Sequence, residues 1–451
     1  MVEKVDVVVI GMGPGGEAAA TELAKAGLSV VGIESRLVGG ECPYYGCIPT
    51  KMMVRAANAL AEAGRVSGLA GEVDITKDFA PVAKRIRDEA TDNWNDQVAV
   101  DRFEKAGGRF IRGKATVTGP KAVRVGDVEL EARKAIVLNT GTEPAVPPIP
   151  GLEGTPFWTN REAVAVTEAP SSLIVLGGGP IGLEMAQAFA RFGTKVQVLE
   201  ALERLMPLEE PESSQLIADV LASEGLVINT QTAARSVSYE SNTFTVSSDD
   251  KTFTADHLLV ATGRRSDFAG LGLAAVGVDT TQRTLDTDAN LQISDGVYAI
   301  GDITGKGAFT HISMYQARIV ANHILGKQGP AAEYHAVPRV TFTDPEVGSV
   351  GITEQQALEQ GVSVGVSISQ IPDSSRGWLH KAGNEGLIKL VADTDRGILV
   401  GATSVGPAGG EVLSMLTLAI HERTPVNRLR EMIYAYPTFH RAIEDALGRL
   451  P

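Results

Sequence analysis

The sequence predicts an α/β protein of several domains, in which parallel sheets are covered by helices on both faces. The chain has 451 residues, of which 43% are hydrophobic and 21% charged, and this is enough apolar material for two to four domains. A short apolar run, a glycine-rich turn and an alanine-rich stretch follow one another twice, near residue 10 and near residue 176. Apolar runs of this kind are typical of parallel strands that are buried on both faces. We therefore expect two similar units in one chain.

The first unit starts with a predicted strand over residues 5–10, which ends in GMGPGG at residues 11–16. A predicted helix then runs to Gly27, and a second apolar strand over 29–33 is followed by Glu34. A strand, a G-x-G-x-x-G turn, a helix and an acidic residue after the next strand are the pattern of a Rossmann dinucleotide-binding unit.

Each glycine of that pattern, and the acidic residue that follows, has a physical reason for its position. Gly11 permits the tight turn, Gly13 lets the backbone approach a pyrophosphate, and Gly16 allows the helix to pack closely on the strand. The helix N-terminus favours an anion, and Glu34 can accept hydrogen bonds from ribose hydroxyls. Gly15, which lies inside the motif, is predicted to belong to the same site.

The second unit repeats this order, with a strand over 173–176, GGGPIG at 177–182, and a strand over 195–199 that is followed by Glu200. The third position of each glycine motif lies 21 positions before its acidic residue in both copies. Two copies in the same context predict two bound dinucleotides, the second one held through Gly177, Gly179 and Gly182.

Glu200 predicts which nicotinamide cofactor is used. A carboxylate at this position accepts a hydrogen bond from a 2′-hydroxyl and repels a 2′-phosphate. No Arg or Lys follows before Arg204. The sequence therefore predicts NADH over NADPH.

The chain has only two cysteines, Cys42 and Cys47, within the segment GGECPYYGCIPTK at residues 39–51. No Cys or His lies nearby to complete a metal site, so no metal is predicted. A static disulfide and two unrelated thiols are the plain alternatives. A helix predicted over 48–63 would place both sulfurs near its N-terminus, which favours the thiolate. The working hypothesis is a dithiol that opens and closes during catalysis.

Charge and hydropathy exclude other classes of protein. The net charge is −14, which argues against a nucleic-acid surface. The N-terminus lacks the basic and apolar regions of a signal peptide, and no run of eighteen uncharged apolar residues occurs. We expect no membrane contact and a cytoplasmic location.

Taken together, the motifs resemble the class I flavoprotein disulfide reductases, the family of lipoamide dehydrogenase, glutathione reductase and mercuric reductase. The matching segments are both glycine motifs, the cysteine segment with IPTK, and NTGTEP at 139–144, Glu184, ATGR at 261–264, VYAIGD at 297–302 and PRVTFTDPEV at 338–347. The resemblance implies two Rossmann-like dinucleotide-binding domains and a C-terminal α+β dimerisation domain. It divides the chain into an FAD domain at 1–150, an NAD(P) domain at 151–265, the FAD-domain return with a central segment at 266–335, and the dimerisation domain at 336–451.

The resemblance also implies a homodimer in which electrons pass from NADH through FAD to the Cys42–Cys47 disulfide and on to a small acceptor. Cys47 would lie against the flavin, and Cys42 would attack the acceptor. Lys51 would lie near the flavin and pair with Glu184. The residues assigned to FAD are Gly11, Gly13, Gly15, Gly16, Glu34, Gly40, Lys51, Thr140, Gly141, Asp302 and His311, and those assigned to NAD are Gly177, Gly179, Gly182, Glu200 and Gly263. Asp302 would bind the ribityl hydroxyls, whereas His311 at a helix start could contribute its backbone alone.

One motif departs from the family. Its C-terminal acid–base pair, a histidine and a glutamate five residues later, is replaced here by Tyr436 and Arg441. Tyr436 could give a proton itself, although a neutral phenol is a poor base at pH 7. His440 could reach in, oriented by Glu444 at i+4, or could be a surface histidine paired with that glutamate.

A third possibility is an acceptor that needs no such help, such as a quinone or a metal ion, and a carboxylating family member also carries an aromatic residue here. The main hypothesis is an enzyme acting on a small disulfide. The alternatives are a quinone or metal-ion reductase, and a flavoprotein subunit or redox sensor.

Overall fold

The computed structural model describes residues 2–451, and the chain divides into two compact units. The first comprises the chain to Pro49, Lys84–Ala145 and Arg264–Tyr334, and the second comprises Thr50–Ala83, Val146–Gly263 and His335–Pro451. This division leaves the four predicted domain ranges as a prediction.

In chain order, the strands β1 to β22 are Glu3–Ile10, Val30–Glu34, Arg109–Arg112, Ala115–Gly119, Ala122–Val125, Val128–Leu138, Glu143–Pro144, Ser172–Leu176, Lys195–Leu199, Val227–Asn229, Ser236–Glu240, Thr243–Ser247, Thr252–Ala255, His257–Val260, Arg264–Arg265, Gln292–Ser294, Val297–Ala299, Pro338–Thr341, Glu346–Gly351, Val364–Gln370, Leu387–Asp393 and Ile398–Gly406. The α-helices α1 to α14 are Pro14–Lys25, Glu41–Tyr44, Cys47–Gly64, Ala80–Arg85, Gln97–Lys105, Asn160–Ala163, Pro180–Arg191, Pro211–Ser223, Thr310–Ile324, Glu354–Glu359, Ser375–His380, Gly409–His421, Val426–Arg430 and Ala442–Arg449. A π-helical turn covers Ile86–Ala90, and 3₁₀ turns cover Leu273–Val276, Gly301–Thr304 and Phe439–Arg441.

The first unit is built on a sheet with the order β16-β17-β6-β1-β2-β3, to which β5 and β4 are added at β6. The central strands β6, β1, β2 and β3 run parallel to one another. Successive residues of β1 enter opposite cores, with Val8 on one face and Val7 and Val9 on the other, as the pleat of a strand requires. Helices α1 and α9 pack on the face that carries Val7 and Val9, so both reach the carboxyl end of β1.

The second unit contains three sheets. A parallel sheet has the order β10-β9-β8-β14, a three-stranded sheet has the order β11-β12-β13, and a five-stranded sheet has the order β18-β19-β22-β21-β20. The last of these is antiparallel throughout. The predicted α/β class, with two parallel-sheet units and a C-terminal α+β region, is therefore confirmed.

Within residues 2–451, none of the helices combines the length and the apolar character needed to cross a bilayer.

Candidate active site

Two glycines of the first loop, Gly11 and Gly16, leave no room for a side chain at their positions. Gly11 has φ +91°, and a Cβ there would lie 2.3 Å from the carbonyl oxygen of Asn139 at the end of β6. A Cβ at Gly16 would lie 2.0 Å from the carbonyl oxygen of Gly11. Glu34 closes the loop, because its Oε2 accepts from Met12 N at 2.9 Å and its Oε1 from Arg36 N at 2.8 Å. The Glu34 carboxylate thus holds the backbone of the glycine turn through a hydrogen bond to Met12 N.

Helix α9 covers the same loop. A Cβ at Gly15 would lie 2.1 Å from Ser313 Oγ, so the loop and α9 are in direct contact. A Cβ at Gly40, where φ is +68°, would lie 2.9 Å from the Cα of Gly13, which brings the start of the cysteine segment to the loop. Four of the residues predicted to bind FAD therefore meet at this edge of the sheet, namely Gly11, Gly13, Gly15 and Gly40.

Asp302 belongs to a short polar chain in the same unit. Thr142 Oγ1 donates to Asp302 Oδ2 at 2.6 Å, and Arg264 Nε donates to Thr142 Oγ1 at 2.8 Å. Arg264 Nη2 also lies 3.5 Å from Glu41 Oε2. Thr140 and Gly141 lie two and three residues after the end of β6, and Gly141 has φ +64°. Sequence reasoning singled out Asp302 but missed Thr142, which gave no signal beyond its place in the NTGTEP segment.

The second glycine loop repeats the first. Gly177 has φ +107°, and a Cβ there would lie 2.4 Å from the carbonyl oxygen of Ala261; a Cβ at Gly182 would lie 2.3 Å from that of Gly177. Glu200 Oε2 accepts from Gly178 N at 2.7 Å and Oε1 accepts from Leu202 N at 2.8 Å.

Two further glycines of this site have open surroundings. Among the described residues, and apart from the two adjacent in the chain, none has an atom within 4 Å of a Cβ built at Gly179 or at Gly263, although Gly263 has φ +113°.

Arg204, the first cation after Glu200, is directed towards its own loop. Its Nη1 donates to the carbonyl oxygen of Glu209 at 2.8 Å and to Ser214 Oγ at 2.6 Å. Its Nη2 donates to the carbonyl oxygen of Pro207 at 2.8 Å. These bonds occupy the guanidinium in holding the loop before α8.

The two cysteines lie on either side of a short break between helices. Cys42 is half-buried in α2, and Cys47 is exposed and is the first residue of α3. The predicted helix over 48–63 is confirmed, with one more residue at each end. Cys47 Sγ lies 3.6 Å from Thr310 Oγ1 at the start of α9. From the sequence, only its neighbour His311 was singled out as a site residue, and the His311 ring stacks on Phe309 with centroids 5.1 Å apart.

Lys51 and Glu184 form an ion pair in the second unit, with Lys51 Nζ 2.6 Å from Glu184 Oε2. The glutamate side chain is only 5% exposed and that of the lysine 35%. Glu184 Oε1 also accepts from Phe342 N at 2.9 Å, and Lys51 Nζ lies 4.6 Å from the centre of the Phe342 ring. A buried carboxylate needs such partners, and here it has two.

At the C-terminus the structure corrects one expectation. Glu444 Oε2 lies 2.9 Å from Arg441 Nη1, whereas His440 Nε2 lies 3.0 Å from Met415 Sδ and its ring packs on Tyr434. The proposed pairing of His440 with Glu444 is therefore wrong, because Arg441 at i−3 occupies the carboxylate. Tyr436 is 67% exposed, and the Arg441 guanidinium lies 5.4 Å from the centre of its ring.

Within residues 2–451, no group of three or more His, Cys, Asp or Glu side chains is arranged to hold a metal ion.

Comparison with known proteins covers nearly the whole chain. Residues 5–317 match the family model described as pyridine nucleotide-disulphide oxidoreductase, and residues 337–447 match the dimerisation domain of that family. Dihydrolipoyl dehydrogenase of Chlorobaculum tepidum is 34% identical over 98% of this chain and 96% of its own length. Mercuric reductase of Staphylococcus aureus is 31% identical over 98% of this chain and 81% of its own.

Among solved structures, the Cu(II) complex of the HOCl-induced flavoprotein disulfide reductase RclA from Escherichia coli is similar in fold. It superposes with a TM-score of 0.88 and 29% identity over 99% of both chains.

Proposed function

This chain belongs to the pyridine nucleotide-disulphide oxidoreductase family, and from that premise we propose that it is an FAD-dependent NADH oxidoreductase whose Cys42–Cys47 pair delivers electrons to a small disulfide. The observation that carries the proposal is the position of the two cysteines. Cys47 begins an 18-residue helix, close to Thr310 and in the same unit as the first glycine loop.

The first glycine loop fits FAD. Gly11 and Gly16 pack so closely on the backbone carbonyl oxygens of Asn139 and Gly11 that no Cβ fits, and α1 begins at this tight turn with amide donors at its N-terminus, as a pyrophosphate requires. Asp302, held by Thr142, and Gly40 are our candidates for the rest of the cofactor. When bound, FAD supplies the group that accepts a hydride and passes electrons to sulfur.

The contacts at the second loop support NADH as the electron donor. Glu200 is buried and turns its carboxylate to the loop, where a 2′-phosphate would meet its charge. Arg204, the nearest cation in sequence, is occupied by Pro207, Glu209 and Ser214. A binding site for NADPH would need a cation directed the other way.

The chemistry of the cysteines then follows from thiol–disulfide exchange. The Cys42 thiolate attacks one sulfur of the acceptor disulfide, and the other half of the acceptor leaves as a thiolate. The Cys47 thiolate next attacks the Cys42 sulfur, which releases the second half and closes the Cys42–Cys47 bond. Each leaving thiolate takes up one proton, so one disulfide is reduced and one is formed.

The family dimerises through its C-terminal domain, and this chain carries that domain, so the active form is a homodimer. Several apolar side chains of the C-terminal region are well suited to a protein interface because they are exposed, namely Trp378, Leu379, Leu418, Ile433 and Tyr436. We place Tyr436 and His440 at the site through this dimer, with Tyr436 as the proton donor to the leaving thiolate. A cytoplasmic location stays a prediction.

A second candidate function is the reduction of a soft metal ion. The missing histidine–glutamate pair favours an acceptor that needs no proton, and the RclA structure is that of a Cu(II) complex. Oxidation of the Cys42–Cys47 dithiol to the disulfide releases two electrons and two protons. The two electrons would reduce two Cu(II) ions to Cu(I), and the protons would pass to solvent.

Steady-state turnover with NADH and a panel of small disulfides, quinones and Cu(II), in the wild type and in Cys42→Ser, tests both candidates. We expect disulfide turnover that is lost in the variant. Cu(II) turnover without disulfide turnover selects the second candidate, and quinone turnover that survives in Cys42→Ser would contradict both. If none of the acceptors in the panel is reduced, the protein is instead a redox sensor.

The matched double variant Tyr436→His with Arg441→Glu restores the usual acid–base residues. If the acceptor preference is set at these positions, the double variant gains activity with lipoamide. No gain would move the determinant of specificity to the cysteine segment.

A further inference from the structure

The segment from Thr91 to Asp96 has a backbone that side chains normally avoid. Asp92, Asn93 and Trp94 have φ values of +46°, +54° and +56° in succession. Residues with a Cβ visit this left-handed region rarely, and three in a row persist only where their surroundings hold them. The segment follows directly on the π-helical turn Ile86–Ala90.

Hydrogen bonds within the segment fix this conformation. Asn93 N donates to the carbonyl oxygen of Arg87 at 2.6 Å, and Thr91 Oγ1 donates to the same oxygen at 3.1 Å. Trp94 N in turn lies 3.3 Å from Thr91 Oγ1. The left-handed turn therefore sets where the Trp94 side chain is directed.

That side chain reaches the peptide between the two cysteines. Trp94 Nε1 donates to the carbonyl oxygen of Tyr44 at 3.2 Å. Tyr44 is the last residue of α2, lies between Cys42 and Cys47, and is buried. Burial raises the pKa of its phenol to about 12, so Tyr44 is neutral and packs without titrating near pH 7. The indole therefore holds the chain where it turns from one cysteine to the other.

The same segment holds the other side of Cys42. Asp96 Oδ2 accepts from Val38 N at 2.6 Å and from Arg112 Nη2 at 2.6 Å. Val38 lies four residues before Cys42, and Tyr44 lies two residues after it. Residues 94 and 96 together thus clamp the cysteine segment on both sides of the sulfur that meets the acceptor.

We propose that Trp94 is a positioning residue for the redox pair, which fixes the peptide between Cys42 and Cys47 and thereby sets the equilibrium between dithiol and disulfide. This inference rests on the proposed function. A disulfide closes only when the two Cβ atoms are held about 3.5–4.5 Å apart. An anchored loop has already lost the conformational freedom that ring closure removes, so the anchor favours the disulfide.

The test uses Trp94→Phe, which keeps an aromatic ring and removes the N–H. The FAD-loaded wild type and variant are equilibrated without oxygen in glutathione redox buffers, quenched and alkylated, and the reduced fraction of Cys42 and Cys47 is measured by mass spectrometry. We expect the midpoint to move by about 3- to 10-fold in the equilibrium constant, towards the dithiol, as the loss of one hydrogen bond predicts. Trp158→Phe, in the second unit, is the matched control and should keep the wild-type midpoint.

Each outcome bears on the proposal. A wild-type midpoint in a folded Trp94→Phe variant overturns it, and so does an equal shift in Trp158→Phe. If Trp94→Phe does not fold, Asp96→Asn loosens the other side of the clamp and should shift the midpoint in the same direction; no shift there overturns the proposal as well. If the wild-type cysteines do not respond to the buffers at all, the proposed function itself fails, which is a different result.

Discussion

The two glycine loops of this chain share one construction and differ in what covers them. In each loop the acidic residue accepts from the second residue of the motif, Met12 in the first and Gly178 in the second. In each, the first glycine is pressed against the carbonyl of the residue that follows a neighbouring strand. The first loop, however, is in contact with α9 at Gly15 and with the Asn139 side chain at Gly13, whereas Gly179, the counterpart of Gly13 in the second loop, has open space for a Cβ.

The difference matches two ways of using a nucleotide. A loop that packs against a second helix is part of the core of its unit and suits a cofactor that stays bound through many turnovers. A loop that stands open suits a cofactor that must enter and leave in each cycle. We therefore interpret the first loop as the site of resident FAD and the second as the site of an exchangeable pyridine nucleotide.

The largest expected effect is that of Gly15→Ala. The new methyl group would meet Ser313 Oγ at 2.1 Å and the Ser313 carbonyl oxygen at 2.7 Å, so α1 and α9 would have to move apart. Overpacking of this kind costs about 1–3 kcal/mol, and we expect protein that is unfolded or poor in FAD. The FAD to protein absorbance ratio and the melting temperature measure this.

Gly179→Ala is the substitution for comparison in the second loop, at the position that corresponds to Gly13 of the first loop. Since open space surrounds this position, the fold and the FAD content should stay as in the wild type, while the KM for NADH rises about tenfold because the methyl group stands where a pyrophosphate approaches. Equal loss of FAD in both variants would contradict the distinction between the first glycine loop, which is closed by α9, and the second glycine loop, which is open.

Glu200→Gln and Glu34→Gln compare the two acidic residues. In each loop the carboxylate accepts from two backbone N–H groups at corresponding positions, one in the glycine motif and one two residues after the acidic residue. Removing the charge of Glu200 removes the repulsion of a 2′-phosphate, so the preference in kcat/KM for NADH over NADPH should fall by about 10-fold or more. Glu34→Gln should leave that preference unchanged and weaken FAD retention instead. A preference that is insensitive to Glu200→Gln would show that selectivity lies elsewhere.

The loops were predictable because their signals are local. A strand, a turn that admits only glycine and a helix lie within about thirty residues, so the motif, the strands and the acidic residue could all be located from the sequence. The helix that begins at Cys47 was predictable for the same reason, as its composition is helical throughout.

Contacts between distant segments could not be predicted in this way. Nothing in the sequence connects Trp94 with Tyr44 or Thr310 with Cys47, which lie 263 positions apart. Lys389, a 1% exposed lysine that contacts Glu210, Glu212 and Glu354, lies in a strand that is otherwise apolar up to its last residue, Asp393. The pairing of His440 with Glu444 was expected from spacing alone, and failed because Arg441 competes for the same carboxylate.

Helix α9 connects the closed loop with the redox pair, and Thr310→Val tests that connection. Valine has nearly the shape of threonine but cannot donate to sulfur, so the Cys47 thiolate loses the hydroxyl that lies 3.6 Å away. We expect the alkylation rate of Cys47 in the reduced enzyme at pH 7 to fall about 2- to 10-fold. Thr310→Ser keeps the hydroxyl and should restore the rate. If serine and valine behave alike, the contact is one of packing alone.

The smallest expected effect concerns the strand on which the open loop rests. His257 begins β14, which leads to Ala261, and its ring packs against Trp158 at a tilt of 39° with centroids 4.2 Å apart. Burial lowers the pKa of His257 below its usual value of about 6.5, and within residues 2–451 its buried Nδ1 has no hydrogen-bond partner. The unfolded chain therefore takes up a proton more readily than the folded one, and stability is lost as the pH falls through 6.5 towards the lowered pKa.

His257→Phe keeps an aromatic ring against Trp158 and removes the group that takes up the proton. The melting temperature of the variant should therefore fall less than that of the wild type between pH 7.5 and pH 5.5. Because the ring is only partly buried and the chain is long, the difference should be on the order of 1 °C. His421→Gln, at an exposed histidine, is the control and should keep the wild-type slope. If the melting temperature of His257→Phe falls with pH as steeply as that of the wild type, other groups set this pH dependence. In that case β14 supports the second glycine loop equally well when the ring of His257 is charged.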